Sequence, residues 1–248
     1  SFVLLVLSSA GTLVLDAWSF SPHDPATEAD VDVRLRVVGG KDAEVGEFPY
    51  MASLRNEDWH ICGGSILNSR TILTAAEPLM KFTPDNVTVV VGSIYLNSGG
   101  TKYKVSKIIK HPDFNLNTGD NDIAVLITSE AITTSSNVGF ISLPSSNTGA
   151  GVKVTLTGWG STSITLLTIS IEECKSKLSD NNIKQDINIC TLTKAGEGPC
   201  YGDTADPIVE GNAVVGIFSR GIPCALGYPD VYTRVSYFVP WINENTQS

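Results

Sequence analysis

The sequence predicts an all-β protein, a sandwich or a barrel, from three features of the chain. Short runs of apolar and β-branched residues recur along most of its length, with turn-forming residues between them. The run at 152–157 alternates with the period of two that a strand requires. No long helical period occurs before the C-terminal end, and regularly spaced short strands are typical of sandwiches and barrels. The predicted strands lie at residues 50–55, 61–67, 70–75, 86–91, 102–109, 123–128, 153–159, 187–191 and 213–219.

Two helices are predicted in the second half of the chain. Residues 237–245 place Val239, Trp241 and Ile242 on one side, which favours a terminal helix. Residues 172–178 favour a second, short helix.

Length and charge restrict the class of protein. The chain has 248 residues, of which 42% are hydrophobic, and this suffices for a sizeable core in one or two domains. The formal net charge is −9, and no cluster of Lys or Arg offsets it. Phosphate backbones and anionic lipids repel such a protein. We therefore expect neither nucleic acid nor a membrane among its partners.

The first 36 residues are predicted to precede the folded domain. Residues 1–19 contain an apolar run that resembles the h-region of a secretory signal with an incomplete start, cleaved after Ala10 or Ala17. A transmembrane helix is disfavoured, because polar residues interrupt the run before the ~20 apolar residues of a span. Residues 20–36 are acidic and lack cysteine, which is typical of a flexible propeptide. Five cysteines behind such a signal predict a secreted protein with two disulfides and one remaining thiol.

Several motifs, in one order, resemble those of the trypsin-like serine proteases. They include the runs from Thr74 to Pro78, from Asn121 to Leu126 and from Cys200 to Pro207. The resemblance covers nearly all of residues 37–248. It implies two six-stranded antiparallel β-barrels, at about residues 37–140 and 141–248, with a cleft between them and a helix at the C-terminus. We expect a monomer.

Under this resemblance Glu77, Asp122 and Thr204 occupy the positions of the catalytic His, Asp and Ser. In the family an imidazole of pKa about 6.5 takes the hydroxyl proton and returns it to the leaving amine. A glutamate carboxylate, of reference pKa about 4.3, is a poor base for an alcohol. Two neighbouring carboxylates raise one pKa, so we expect one of the pair to be protonated, or both to turn toward water or an added base. The methyl group of Thr204 crowds the approach to a carbonyl.

None of the three histidines replaces the missing base. His23 leaves with the propeptide, His60 lies on a strand beside Cys62, and His111 matches a structural histidine of the family. Loss of one triad member alone costs on the order of 10⁴ in rate. The resemblance therefore implies an inactive protease homologue.

The loop around Thr204 departs from the family pattern as well. Amides of Gly202 and Thr204 would form the oxyanion hole, but Ala205 and Asp206 replace the two glycines that follow the nucleophile in the family. If those positions require positive φ, each side chain costs about 1 kcal/mol or reshapes the loop.

The resemblance also assigns a remnant of the specificity pocket. Gly198 stands where trypsins have an aspartate at the base, while Asp230 replaces a wall glycine and supplies an acid from the side. The other pocket positions are Tyr201 at the rim, Ser219, Arg220 in place of a tryptophan, and Gly221.

The junction between Arg36 and Val37 resembles a zymogen activation site. In the family, cleavage there frees an α-amino group that pairs with the aspartate before the nucleophile, here Asp203, and this buried pair fixes the pocket.

The resemblance also implies the pairing of the cysteines. Cys174 would pair with Cys190, and Cys200 with Cys224. Cys62 is left over, because Pro78 stands where the family has its partner, and the lost bridge would have contributed about 3 kcal/mol. Cys62 is then either a buried inert thiol or the site of an intermolecular disulfide.

We expect no metal and no cofactor. The chain has no histidine pair at ligand spacing, and the loop 93–100 lacks the acids that calcium-binding relatives carry. Asn86 begins an Asn-Val-Thr sequon, which is either an occupied N-glycosylation site or a chance match.

The run from Gly227 to Val235 and the cysteine set resemble the mite gut trypsins of the group 3 allergen type. The loss of triad residues resembles the inactivated protease paralogues of the scabies mite. This resemblance implies a protein of the gut lumen and excreted material that binds host proteins, notably complement components. Two alternatives are a weak residual peptidase or esterase that uses Thr204, and a decoy that sequesters a protease inhibitor in its cleft.

Overall fold

The structure is a computed structural model, and it describes residues 37–158, 162–200, 202–222 and 224–246. The predicted signal at 1–19, the propeptide at 20–36 with Arg36, and the pocket residue Tyr201 lie outside these ranges.

The described residues form thirteen strands and two α-helices. Every predicted strand overlaps an observed one. The strands are β1 (Lys41–Asp42), β2 (Met51–Asn56), β3 (Trp59–Asn68), β4 (Thr71–Thr74), β5 (Thr88–Val91), β6 (Thr101–Lys110), β7 (Ala124–Thr128), β8 (Lys153–Gly158), β9 (Thr162–Ile169), β10 (Asn188–Thr191), β11 (Pro207–Glu210), β12 (Ala213–Gly221) and β13 (Asp230–Arg234). The helices are α1 (Ile171–Leu178) and α2 (Val235–Thr246), and short 3-10 helices lie at Glu77–Leu79 and Pro84–Asn86.

Six strands close the first barrel, in the order β2-β3-β4-β7-β6-β5. Each neighbouring pair is antiparallel. Leu54, Ile66 and Leu126 are fully buried inside it. Burial of such a side chain contributes about 1.5–3 kcal/mol, which is the main free energy available to close the barrel.

Six further strands form the second barrel, in the ring order β8-β9-β10-β13-β12-β11. Pairing of β11 with β8 and of β8 with β9 closes this ring. Leu156, Ile208 and Tyr232 are fully buried in its core. The predicted fold class, two six-stranded antiparallel barrels, is confirmed. The start of the domain, grouped with the first barrel by the sequence, pairs instead with the second, because β1 adds to β9.

Both helices form where the sequence predicts them. Helix α1 begins after Ser170, whose hydroxyl accepts a hydrogen bond from the Glu173 N–H at 3.1 Å. Helix α2 begins two residues before the predicted start and buries Phe238 and Ile242 in the core cluster of the first barrel. None of the helices in the described ranges is long and apolar enough to cross a membrane.

Candidate active site

Asp122 lies between the two barrels, two residues before β7, and is 1% exposed. Its Oδ1 accepts hydrogen bonds from the backbone N–H groups of Ala76 and Glu77, both at 2.8 Å. Its Oδ2 accepts a hydrogen bond from the Ser219 hydroxyl at 2.6 Å. The Thr233 hydroxyl donates to the Asp122 carbonyl oxygen at 2.7 Å. Asp122 therefore joins the segment after β4 to β12 and β13.

Glu77, at the predicted position of the base, is exposed and begins the 3-10 helix Glu77–Leu79. Burial is the main cause that raises the pKa of Asp122, the three hydrogen bonds oppose it, and the charge of Glu77 adds the smallest part. The raised pKa of Asp122 has the direction expected for a neighbouring carboxylate pair, and protonation of one of the two acids stays a prediction. Glu77 is exposed, so water screens its charge.

The two histidines of the described ranges lie elsewhere. His60 Nδ1 is 2.9 Å from the Ser53 hydroxyl and its Nε2 is 3.2 Å from the Gly202 carbonyl oxygen, and burial lowers the pKa of His60 to about 4. The ring of His111 packs on Trp241, and burial lowers the pKa of His111 too. Within the described residues, no imidazole hydrogen bonds to the Asp122 carboxylate.

The Thr204 loop, from Cys200 to Pro207, is held by main-chain hydrogen bonds to both barrels. The Gly63 N–H donates to the Thr204 carbonyl at 3.0 Å, and the Ala205 N–H donates to the Phe218 carbonyl at 2.9 Å. Ala205 has a φ of 66°, in the left-handed region that favours glycine, whereas the φ of Asp206 is not positive. The expected strain therefore falls on Ala205 alone. Among the described residues, no side chain hydrogen bonds to the Thr204 hydroxyl.

Two of the predicted pocket residues, Gly198 and Gly221, lie next to the Asp230 carboxyl group. A Cβ built on Gly198 would lie 3.1 Å from Asp230 Oδ2, and one on Gly221 would lie 2.6 Å from Asp230 Oδ1. The carboxyl group therefore lies between the positions predicted for the base and the wall of the pocket. Asp230 is 6% exposed, and burial raises its pKa to about 8.

Arg220 crosses the cleft on the side next to Glu77, where a cavity of about 240 Å³ lies. Its Nη2 is 3.5 Å from Oδ2 of Asp180, which follows α1. Its Nη1 packs on Gly119, where a Cβ would lie 2.6 Å away. Arg220 therefore spans from a loop of the first barrel to a loop of the second.

The start of the described chain packs beside the Thr204 loop. Val37 is 4% exposed, and the Val38 N–H donates to the Gly198 carbonyl at 2.8 Å. A Cβ on Gly158 would meet both Val37 Cγ2, at 3.0 Å, and Asp203 Oδ1, at 2.7 Å. Val37 and Asp203 therefore both lie next to Gly158, at the end of β8.

The cysteines pair as the resemblance implied. Cys174 is bonded to Cys190, and Cys200 to Cys224. Cys62 is free and buried, and burial raises its pKa far above the ordinary value. This agrees with a buried inert thiol and not with an accessible partner for an intermolecular bond.

Two further predictions concern a metal ion and a glycan. The described residues contain no group of three or more His, Cys, Asp or Glu that could hold a metal ion. Asn86 is exposed and caps the turn Pro84–Asn86 through a hydrogen bond from Thr83 N–H at 2.9 Å. Its glycosylation remains a prediction.

Comparison with known proteins decides the family. A family model described as Trypsin matches residues 37–242. Chymotrypsin-2 of Vespa crabro is 40% identical over 224 residues, which cover 84% of this chain and 99% of that protein. Trypsin delta of Drosophila melanogaster is 33% identical over 223 residues, 85% of this chain and 88% of that protein.

The chain belongs to the trypsin family. A trypsin-family protein with two disulfides is secreted or extracellular, because such bonds persist in oxidising compartments. The names of these relatives are those of proteases.

Two features of this trypsin-family site were not predicted from the sequence. His60 contacts the Thr204 loop through the Gly202 carbonyl, although the two residues are far apart in the chain. Asp206 is fully buried beside Asp203. The sequence offers one signal for the second feature, an acid where the family pattern has glycine.

Proposed function

We propose that this trypsin-family chain is a secreted, catalytically inactive monomer that acts by binding other proteins through its surface. One observation carries the proposal: the Asp122 carboxylate is fully engaged by Ala76, Glu77 and Ser219, with no imidazole among its partners in the described ranges. A trypsin-type mechanism requires that imidazole to carry the proton from hydroxyl to leaving amine.

Among the residues that the structure describes, none substitutes for the imidazole. Glu77 is exposed, so its carboxylate is solvated, and a solvated carboxylate is a poor base for a threonine hydroxyl. His60 contacts the loop through a backbone oxygen, and a group of pKa about 4 is a weak base at neutral pH. Two such losses together would cost at least the ~10⁴-fold in rate that one triad loss costs.

The position of Arg220 also impairs substrate binding. Arg220 spans the cleft between Asp180 and Gly119, where an extended substrate strand would lie in the family. The Arg220–Asp180 ion pair is partly exposed and therefore weak. Arg220 obstructs the cleft through its position and not through the strength of this pair. The relatives carry protease names, and the proposal therefore rests on the residues of this site and not on the family.

The proposed partners are host defence proteins, in particular complement components. This rests on the resemblance of the run from Gly227 to Val235 and of the degenerate triad to the inactivated mite paralogues. On the same basis we place the protein in the gut lumen and excreted material of a mite.

The test is lysis of antibody-coated erythrocytes by mammalian serum in the presence of the secreted chain. We expect dose-dependent protection with no new cleavage products of complement components on immunoblots. A matched control is the same chain after reduction and heat unfolding. Full lysis at saturating chain would refute the choice of complement, and protection accompanied by cleavage products would refute inactivity.

The decoy reading has one observation in its favour, the Asp230 carboxyl inside the pocket. A cationic side chain of an inhibitor would find an acid there, although Asp230 is mostly protonated at neutral pH because burial raises its pKa to about 8. Binding of a cation must therefore release a proton.

Calorimetry with benzamidinium in two buffers of different ionisation enthalpy tests this second candidate. A decoy binds the probe and releases close to one proton at about pH 7, and Asp230→Asn abolishes both effects. Absence of binding in the wild-type chain would remove the decoy from consideration without touching the first proposal.

A further inference from the structure

Two aspartates lie side by side in the interior of the Thr204 loop. Asp203 and Asp206 are both 0% exposed. A Cβ on Gly158 would lie 2.7 Å from Asp203 Oδ1 and 2.6 Å from Asp206 Oδ2. Both carboxyl groups therefore face the same point of β8.

Close packing keeps Asp206 in this place. A Cβ on Gly63 would lie 1.8 Å from Asp206 Oδ1, so the carboxyl group occupies space that only a glycine on β3 leaves open. The Asp206 N–H donates to the Asp203 carbonyl at 3.0 Å, and the Phe218 N–H donates to the Asp206 carbonyl at 2.9 Å. Neither side chain can reach water without a rearrangement of the loop.

In the uncleaved chain, where Val37 has no free α-amino group, the titratable groups of the described residues that pack against the pair are neutral. Burial, with a smaller contribution from the charge of Asp206, raises the pKa of Tyr50 to about 12 and that of Cys62 far above its ordinary value. Burial likewise raises the pKa of Tyr232 on β13, with Asp203 and Asp206 adding to it. His60 of β3 touches the loop at Gly202 and is uncharged at neutral pH. Two full charges on neighbouring buried carboxylates would therefore be costly.

We propose that Asp203 and Asp206 share one proton, as a carboxylic acid and a carboxylate, and that this proton is a pH-sensitive switch for the Thr204 loop. Carboxyl oxygens of two acids hydrogen bond to each other only if one of them carries a proton. Burial raises the pKa of Asp203 to about 7, while hydrogen bonds from the Cys200 N–H and from Asp206 oppose the rise. The pair keeps the loop in shape while it holds the proton, and repulsion loosens the loop once the proton is lost.

The sign of the effect follows from linkage. The folded pKa of Asp203 lies above its unfolded value of 3.8. The stability that the pair contributes is therefore complete below about pH 4 and is lost as the pH rises through about 7.

The experiment uses the full chain with Arg36→Gln, so that Val37 keeps its peptide bond, with and without the double change Asp203→Asn, Asp206→Asn. The two asparagines keep the shape of the pair and can hydrogen bond to each other, but neither ionises. Urea unfolding is measured between about pH 5 and pH 8. The folding equilibrium constant of the parent should fall by up to about tenfold more per pH unit than that of the variant. Equal slopes in the two proteins would overturn the proposal.

A second measurement covers the case in which the double variant does not fold. Infrared spectra of the parent report the C=O stretch of a protonated carboxyl group, and an Asp230→Asn background removes the signal of the buried acid whose pKa is about 8. We expect this band at about pH 6 and its loss as the pH passes through about 7. A folded protein without such a band would show that the pair holds no proton.

Discussion

At the scale of single residues, the buried carboxylate of Asp122 stabilises the structure through its hydrogen bonds. Its three hydrogen-bond donors come from the segment after β4 and from β12. Each would be left without a partner inside the protein if the carboxylate were removed. A buried unsatisfied donor costs about 1–3 kcal/mol. The residue therefore has a structural role that does not depend on catalysis.

Asp122→Ala should lower the free energy of unfolding by about 3 kcal/mol, because the Ala76 and Glu77 N–H groups and the Ser219 hydroxyl lose their hydrogen-bond acceptor. Urea denaturation measures this. Glu77→Ala is the matched control, since an exposed side chain at the same site changes stability by about 0.5 kcal/mol or less. Equal effects of the two variants would contradict the structural role of Asp122.

Ala205→Gly tests the strain in the Thr204 loop. Relief of a left-handed alanine gains about 1–2 kcal/mol. Loss of a buried methyl and the greater freedom of unfolded glycine cost a similar amount, so the net change should be near zero. Ala76→Gly, at a buried alanine with a φ of −83°, should cost the full ~1–2 kcal/mol. Equal losses at both sites, by thermal denaturation, would show that Ala205 is unstrained.

At the scale of elements, the sequence predicts most of the first barrel and less of the second. The predicted runs omit β1, β9, β11 and β13. β1 has two residues, and β11 begins at Pro207, a breaker in most strand patterns. β13 is fully buried, so its polar residues Asp230, Thr233 and Arg234 obscure the apolar pattern that predicts a strand. These strands form because tertiary contacts bury them, and the local sequence pattern does not show that burial.

The missing bridge at Cys62 is the element-scale feature that is simplest to restore. Pro78→Cys should let Cys62 tie β3 to the 3-10 helix Glu77–Leu79. Closure of a loop of about 15 residues predicts that the oxidised variant is about 3 kcal/mol more stable than its reduced form. The double variant Pro78→Cys, Cys62→Ala should show no such difference. A bridge that forms without added stability would mean that the helix is already fixed by its contacts to Asp122.

At the scale of the whole molecule, both barrels contribute residues to the cleft. The sequence predicts the fold but not the contacts made in the cleft. Motif order placed Glu77, Asp122 and Thr204 near one another, and the fold that it implied is the fold that formed. Contacts between distant segments could not be predicted from it. The contacts of Arg220 with Asp180 and of His60 with Gly202 each join a strand to a loop far away in the chain. The place of Asp206 beside Asp203 depends on how the Thr204 loop packs on β3 and β8.

The measurement that tests the central claim most directly is turnover of a broad library of peptides and esters. It uses the chain processed to begin at Val37, beside Glu77→His, Thr204→Ser as a reference in which imidazole and serine are present. The account predicts that the natural chain turns over no substrate above the buffer rate. Turnover by the natural chain that disappears on Thr204→Ala would contradict it.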